Sequence, residues 1–230
     1  MQLPRRAASL AAVAAASAVL LAGCGNDDGP YDGKIEGADS AKKTSAAPTP
    51  TKGEDAPKEE RPDFRTSDIT LPEDIKLVFD WEQPDDPEKA AALDGAADYM
   101  RAIKHGTVEQ NPKDPVLARH VVPLQTAEQY ATALVKADVD EGLTATGEER
   151  YYREQIGDVV DGKLAEVAFC VDQSDYFSKK VKSGKVLHTE ESPSSYMRFT
   201  LVMQKPEKTG LPWKARTFEF EGKAVKKCKD

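Results

Sequence analysis

The sequence predicts an α+β fold, with helices gathered first and an antiparallel sheet after them. Three observations lead there. Apolar residues recur at helical spacing between Pro87 and Ala137, β-prone runs divided by turn residues follow Gly147, and the two patterns do not alternate as a parallel α/β sheet requires.

Order is expected to begin near residues 68–72, and Lys76-Leu77-Val78-Phe79-Asp80-Trp81 is β-prone enough for a short strand or an extended arm. Asp85 or Asp86 can cap the first helix and Pro87 suits its first turn. Leu93, Ala96, Ala97, Met100 and Ile103 form its apolar stripe, and His105-Gly106 is expected to end it. A shorter helix follows over 115–121. A third starts from Thr126 as cap, with Glu128 or Gln129 close behind, and runs through Tyr130, Ala133, Leu134 and Ala137.

Strands are expected over 151–160, 164–171, 186–189, 196–203 and 213–220. Asp161-Gly162 makes a tight hairpin, Lys182-Ser183-Gly184-Lys185 another turn, and Lys205-Pro206 through Gly210 separates the last long pair. In the final strand Trp213, Ala215, Thr217 and Glu219 alternate with Lys214, Arg216, Phe218 and Phe220. Neither side is cleanly polar, so part of the sheet is expected to be covered on both faces.

At 230 residues, 39% hydrophobic and 31% charged, the chain suits one domain plus extensions rather than two domains of ordinary size. Residues 1–23 have the order of a secretory signal: Arg5 and Arg6, then a small and apolar run shorter than the roughly 20 residues a spanning helix needs. Leu21-Ala22-Gly23-Cys24 resembles the lipobox of bacterial lipoproteins. That resemblance implies a diacylglyceryl thioether on Cys24, acyl chains such as palmitate in the bilayer, and cleavage before the cysteine. Arg5-Arg6 leave the general secretory and twin-arginine routes both open. The expected location is extracytoplasmic, anchored to the outer face of the bacterial cell membrane.

Losing Arg5 and Arg6 would take the formal charge from −8 further negative by two. Such a surface repels phosphate backbones and anionic headgroups, so nucleic acid is excluded as a partner and membrane contact falls to the lipid anchor. With Cys24 lipidated, Cys170 and Cys228 remain as a pair in an oxidising compartment, and a disulfide is expected between them. Residues 24–63 read as a linker, because Tyr31 and Ile35 are its only large apolar residues. As a flexible coil it would hold the folded part, 64–230, on the order of 35 Å from the anchor.

Leu77-Val78-Phe79-Asp80-Trp81, Tyr151-Tyr152, Phe169-Cys170-Val171-Asp172-Gln173, Trp213 and Cys228 look like a group of secreted bacterial lipoproteins with NTF2-like domains. Helix, short helix, helix and then a long meander is similar to the cone-shaped NTF2-like fold, shared by nuclear transport factor 2, SnoaL-type cyclases and ketosteroid isomerases. The resemblance implies helices packed on a curved antiparallel sheet, with a pocket between the concave face and the first helix. Tyr99, Tyr130, Phe169, Phe199 and Trp213 are its candidate lining residues.

The motifs behind the resemblance are structural, and fold does not imply function. No Gly-x-Ser-x-Gly elbow or phosphate-cradling glycine loop is present, and His105, His120 and His188 show no metal-ligand spacing. Asp94, Asp98 and Arg101 fall on the polar side of the first helix and read as solvated surface. The sequence therefore assigns no catalytic residue, metal or cofactor. The expected function is a non-catalytic binding or interaction module of the cell envelope, contacting an envelope protein or a second copy of itself. Two alternatives are a carrier or sensor of a small apolar ligand, and an isomerase- or cyclase-like enzyme with a carboxylate facing a tyrosine in the pocket.

Overall fold

The structure, a computed structural model, describes residues 67–229. The leader 1–23, Cys24 and the linker 24–63 lie outside the described residues. Strand β1 (Ile75–Asp80) precedes three helices, α1 (Pro87–Val108), α2 (Pro115–His120) and α3 (Thr126–Glu141). Then come β2 (Leu143–Ile156), β3 (Leu164–Lys180), the short β4 (Val186–Leu187), β5 (Tyr196–Gln204), β6 (Lys214–Gly222) and the single-turn α4 (Val225–Cys228). The sheet runs β1-β2-β3-β5-β6 with β4 attached to β3, and every pairing is antiparallel except β1 with β2. This is the expected α+β class, helices on a curved, mostly antiparallel mixed sheet, in the element order that the NTF2-like resemblance implied.

Local chemistry sets the boundaries. The Asp86 carboxylate accepts from the backbone N–H groups of Glu88 and Lys89 at 2.8 and 3.1 Å, and Pro87 fills the first helical position. Helix α1 does not stop at His105-Gly106 but continues to Val108. Gly106 serves close packing there, because a Cβ on it would lie 3.2 Å from a Val135 methyl of α3. Thr126 is the first residue of α3 rather than its cap; its hydroxyl accepts from the Phe218 amide of β6 at 3.1 Å and ties helix to sheet. Asp161 and Gly162 both have positive φ, 52° and 62°, as the tight hairpin between β2 and β3 requires.

One core fills the space between helices and concave sheet. Phe79 stacks on Tyr151 with centroids 4.4 Å apart, Phe169 packs on Trp81 at 5.1 Å, and both meet the α1 stripe of Leu93, Ala96, Tyr99, Met100 and Ile103. Each fully buried large side chain contributes about 1.5–3 kcal/mol. Gly95 lets α1 approach β6, since a Cβ there would meet the Trp213 carbonyl oxygen at 2.6 Å and the Trp213 Cβ at 2.8 Å. Gly95→Ala is expected to cost about 1–3 kcal/mol by forcing that packing apart, measured as a lower urea midpoint with an unchanged slope.

Two strands depart most from the expected bounds, β2 starting earlier and ending at Ile156 rather than Val160 and β3 ending later, while β4 is shorter than expected, Val186–Leu187. β2 starts at Leu143, directly after Gly142 ends α3 in the left-handed conformation, and β3 continues past Val171 to Lys180. Gly147, which resembles a breaker in sequence, sits inside β2 at φ 100°, where a Cβ would come within 2.0 Å of the Asp175 carbonyl. A register shift between the Glu148–Asp175 and Arg150–Asp172 pairs sets Gln173 and Ser174 of β3 against Glu149 alone. Asp172 anchors this bulge by accepting from the Ser174 amide at 2.8 Å.

A second bulge explains the mixed faces of the last strand. Val202 pairs with Thr217 and Met203 with Ala215, so Arg216 is the extra residue and the alternation changes phase across it. Trp213, Ala215 and Phe218 are thereby all buried. On the outer face Cys170, Tyr196, Ala224 and Cys228 form a small separate cluster. The Cys170–Cys228 disulfide sits in it, with Cα atoms 5.5 Å apart. Cys170 lies mid-strand rather than at a strand end, so the bridge fastens α4 onto the back of the sheet.

Candidate functional site

The bulge in β3 shapes the site. Where β2 and β3 bend around Glu149 and Gln173, a cavity of about 330 Å³ opens between their ends, α1 and α3. On α1, Met100, Ile103, Lys104 and Thr107 line it at helical spacing; on α3, Tyr130, Leu134 and Asp138 do so one turn apart. The strands add Glu149, Gln173, Tyr176, Phe177, Met197 and Phe199.

Glu149 is fully buried and accepts from three donors. Lys104 Nζ lies 2.8 Å from its Oε2, the Tyr151 hydroxyl donates to the same oxygen at 2.6 Å, and the Gln173 amide donates to Oε1. The Lys104 ammonium also rests 4.3 Å from the centre of the Tyr176 ring. Burial opposes its charge, but Glu149 and Tyr176 outweigh that penalty, and its pKa is raised above the ordinary lysine value. Burial pushes the Tyr176 hydroxyl up to about 12 and that of Tyr151 well above the usual tyrosine value. On the α3 side the Thr107 hydroxyl donates to Asp138 Oδ2 at 2.9 Å, and burial raises the Asp138 carboxyl above the ordinary range.

Both oxygens of the Glu149 carboxylate are occupied. A carboxylate already accepting from a lysine, a tyrosine and an amide has little lone-pair capacity left for a substrate proton. Tyr151, the tyrosine nearest to that carboxylate, is wholly buried and spends its hydroxyl on it. The rest of the lining mixes Met100, Ile103, Leu134, Met197 and Phe199 with the polar Thr107, Asp138, Thr144 and Ser178, so the space can take an apolar body together with polar groups.

The five aromatic residues proposed to line a pocket are divided between three places. Tyr130 and Phe199 border the cavity. Tyr99 and Phe169 are fully buried in the core, and the Tyr99 hydroxyl is used on the Ala127 carbonyl at 2.9 Å. Trp213 packs over Gly95 and borders a second, wider hollow of about 670 Å³ between α1, α2 and residues 210–214. There His105 Nδ1 lies 2.5 Å from Asp114 Oδ2, and His120 Nδ1 is buried with no hydrogen-bond partner among the described residues. Burial lowers the His120 pKa, helped by Arg119 and Lys214 and opposed by Asp98. Arg101 is not solvated surface as expected: it is buried, donates to Asp98 at 3.0 Å and lies 4.5 Å from the centre of the Phe79 ring.

The residues that make the cavity polar were missed in sequence. Lys104 and Thr107 continue the stripe of Met100 and Ile103 by one helical turn, and that spacing was the available signal. Glu149 and Gln173 gave none, since each lies beside a bulge that breaks the strand period.

No protein-family model matches the chain, and no curated protein matches its sequence. Among solved structures it is similar to a ketosteroid isomerase-like protein from Erwinia carotovora atroseptica SCRI1043, with 11% identity and a TM-score of 0.38 over 59% of this chain and 95% of that one. It is also similar to a putative ketosteroid isomerase from Shewanella frigidimarina NCIMB 400, with 15% identity and a TM-score of 0.32 over 58% of this chain and 97% of that one.

Proposed function

We propose that this chain is a lipid-anchored, extracytoplasmic binding module of the cell envelope, which holds a small amphipathic molecule in the cavity between α1, α3 and the sheet without transforming it. The observation that carries the reading is Glu149, held by Lys104, Tyr151 and Gln173 at the cavity wall. A buried polar cluster beside the apolar side chains of Ile103, Leu134, Met197 and Phe199 can fix one end of a ligand and shelter the other, as small-molecule sites do. The ligand is amphipathic rather than wholly apolar, because three charged side chains border the space. Anchoring rests on the export leader and on the lipobox-like Leu21-Ala22-Gly23-Cys24.

Native and intact-mass spectrometry of the full chain, extracted in detergent from its own envelope, tests both halves. The expected spectrum shows acyl mass on Cys24 and a small molecule that leaves on unfolding. Leu134→Trp, which fills the cavity from α3, is expected to abolish the small-molecule adduct while keeping the acyl mass. Unacylated chain still carrying residues 1–23 would overturn the anchor, and an adduct indifferent to Leu134→Trp would overturn the cavity as its site.

A further inference from the structure

The charges that border the cavity do not balance. Among the described residues Lys104 is its only cation, Glu149 and Asp138 are its carboxylates, and Lys104 is committed to Glu149 at 2.8 Å. Among the described residues no Lys, Arg or His forms an ion pair with Asp138, which accepts a hydrogen bond from the neutral Thr107 hydroxyl on Oδ2. Lys104 acts on this carboxylate only from a distance, and Glu141 opposes it, so Asp138 is half-buried without a direct ion pair, which is costly for a protein to keep. Burial accordingly favours the protonated form of Asp138, a cost that a bound cation would remove.

Tyr130, Phe177 and Phe199 add π surface to the same cavity, and such rings attract cations and reject anions. The protein as a whole, at −8, favours the approach of a cation as well. Resting on the binding role argued above, we propose that the cavity takes a small organic cation, an amine with an apolar body, whose charge meets Asp138 and whose body lies along Ile103, Leu134 and Phe199. The Lys104–Glu149 pair then acts as the neutral floor of the site.

Calorimetric titration of the full chain with three probes of one shape, benzylamine, benzyl alcohol and benzoate, separates the possibilities. Benzylamine is expected to bind and the other two to bind at least about tenfold more weakly, the scale of one hydrogen bond to a charged group. Asp138→Asn keeps the size of the side chain and its bond to Thr107, and is expected to weaken benzylamine about tenfold while leaving benzyl alcohol unchanged. An unchanged melting temperature for Asp138→Asn separates this loss from misfolding. Benzoate or benzyl alcohol binding as tightly as benzylamine, or Asp138→Asn with undiminished benzylamine binding, overturns the cation and leaves the cavity reading intact. Failure of all three probes to bind overturns both.

Discussion

Replacing Lys104 by methionine is expected to destabilise the fold by about 3–5 kcal/mol at neutral pH, the cost of stranding a buried charge. Methionine matches the lysine stem, so packing against Met100 and Ile103 changes little. What is lost is the ammonium 2.8 Å from a carboxylate with 0% of its side chain exposed. Tyr151 and Gln173 still donate to Glu149, but neither carries a charge. In the native chain the folded pKa of Lys104 is raised, so its contribution is fully present below the unfolded lysine value of about 10.4 and is lost only at more alkaline pH. Urea unfolding of both chains at pH 7, and of the native chain as pH is raised beyond the unfolded lysine value, checks both statements. Adding Glu149→Gln to Lys104→Met should restore most of the loss at pH 7. A single variant within about 1 kcal/mol of the native chain at pH 7 would show that the pair does not hold the cavity wall.

What the sequence revealed and what it hid follow from how local each signal is. The start of α1 was legible because Asp86 and Pro87 act within one turn, and the β2–β3 hairpin because Asp161-Gly162 suits two successive positive φ angles. The disulfide followed from a count of cysteines and an assumed compartment. The far half of β3 was not legible. Asp172, Gln173, Ser174 and Asp175 look like a turn, and they remain strand only because β2 and the bulge at Glu149 hold them there. The same bulge turns Gln173 and Glu149 toward Lys104, so the feature that hid the strand also made the site. Tyr99 and Phe169 show the converse error. Being large, aromatic and inward-facing qualifies a residue for the core as well as for a cavity, and it is the bend of the sheet that decides which it joins.

Removing the disulfide by Cys170→Ala with Cys228→Ala is expected to cost about 4 kcal/mol, the loop-closure value for a chain segment of 58 residues. For a domain of this size that corresponds to a fall in Tm of about 10 °C. The loss should be local in its structural effect. A helix of four residues has no stability of its own, so α4 depends on the bridge and on the small cluster of Ala224, Tyr196 and the two cysteines. Once freed, it would expose the Tyr196 ring, which lies 4.9 Å from Lys229 Nζ, and release the Arg153 bond to the Lys227 carbonyl. The cavity lies on the opposite face of β3, because Cys170 points outward between the inward-facing Phe169 and Val171. Amide exchange should therefore quicken over residues 223–229 while protection around Glu149 and Gln173 is retained, and benzylamine titration should be unchanged under conditions where the variant is folded. Loss of protection at Glu149 and Gln173 as well would mean that the bridge sets the curvature of the sheet and not only the position of α4.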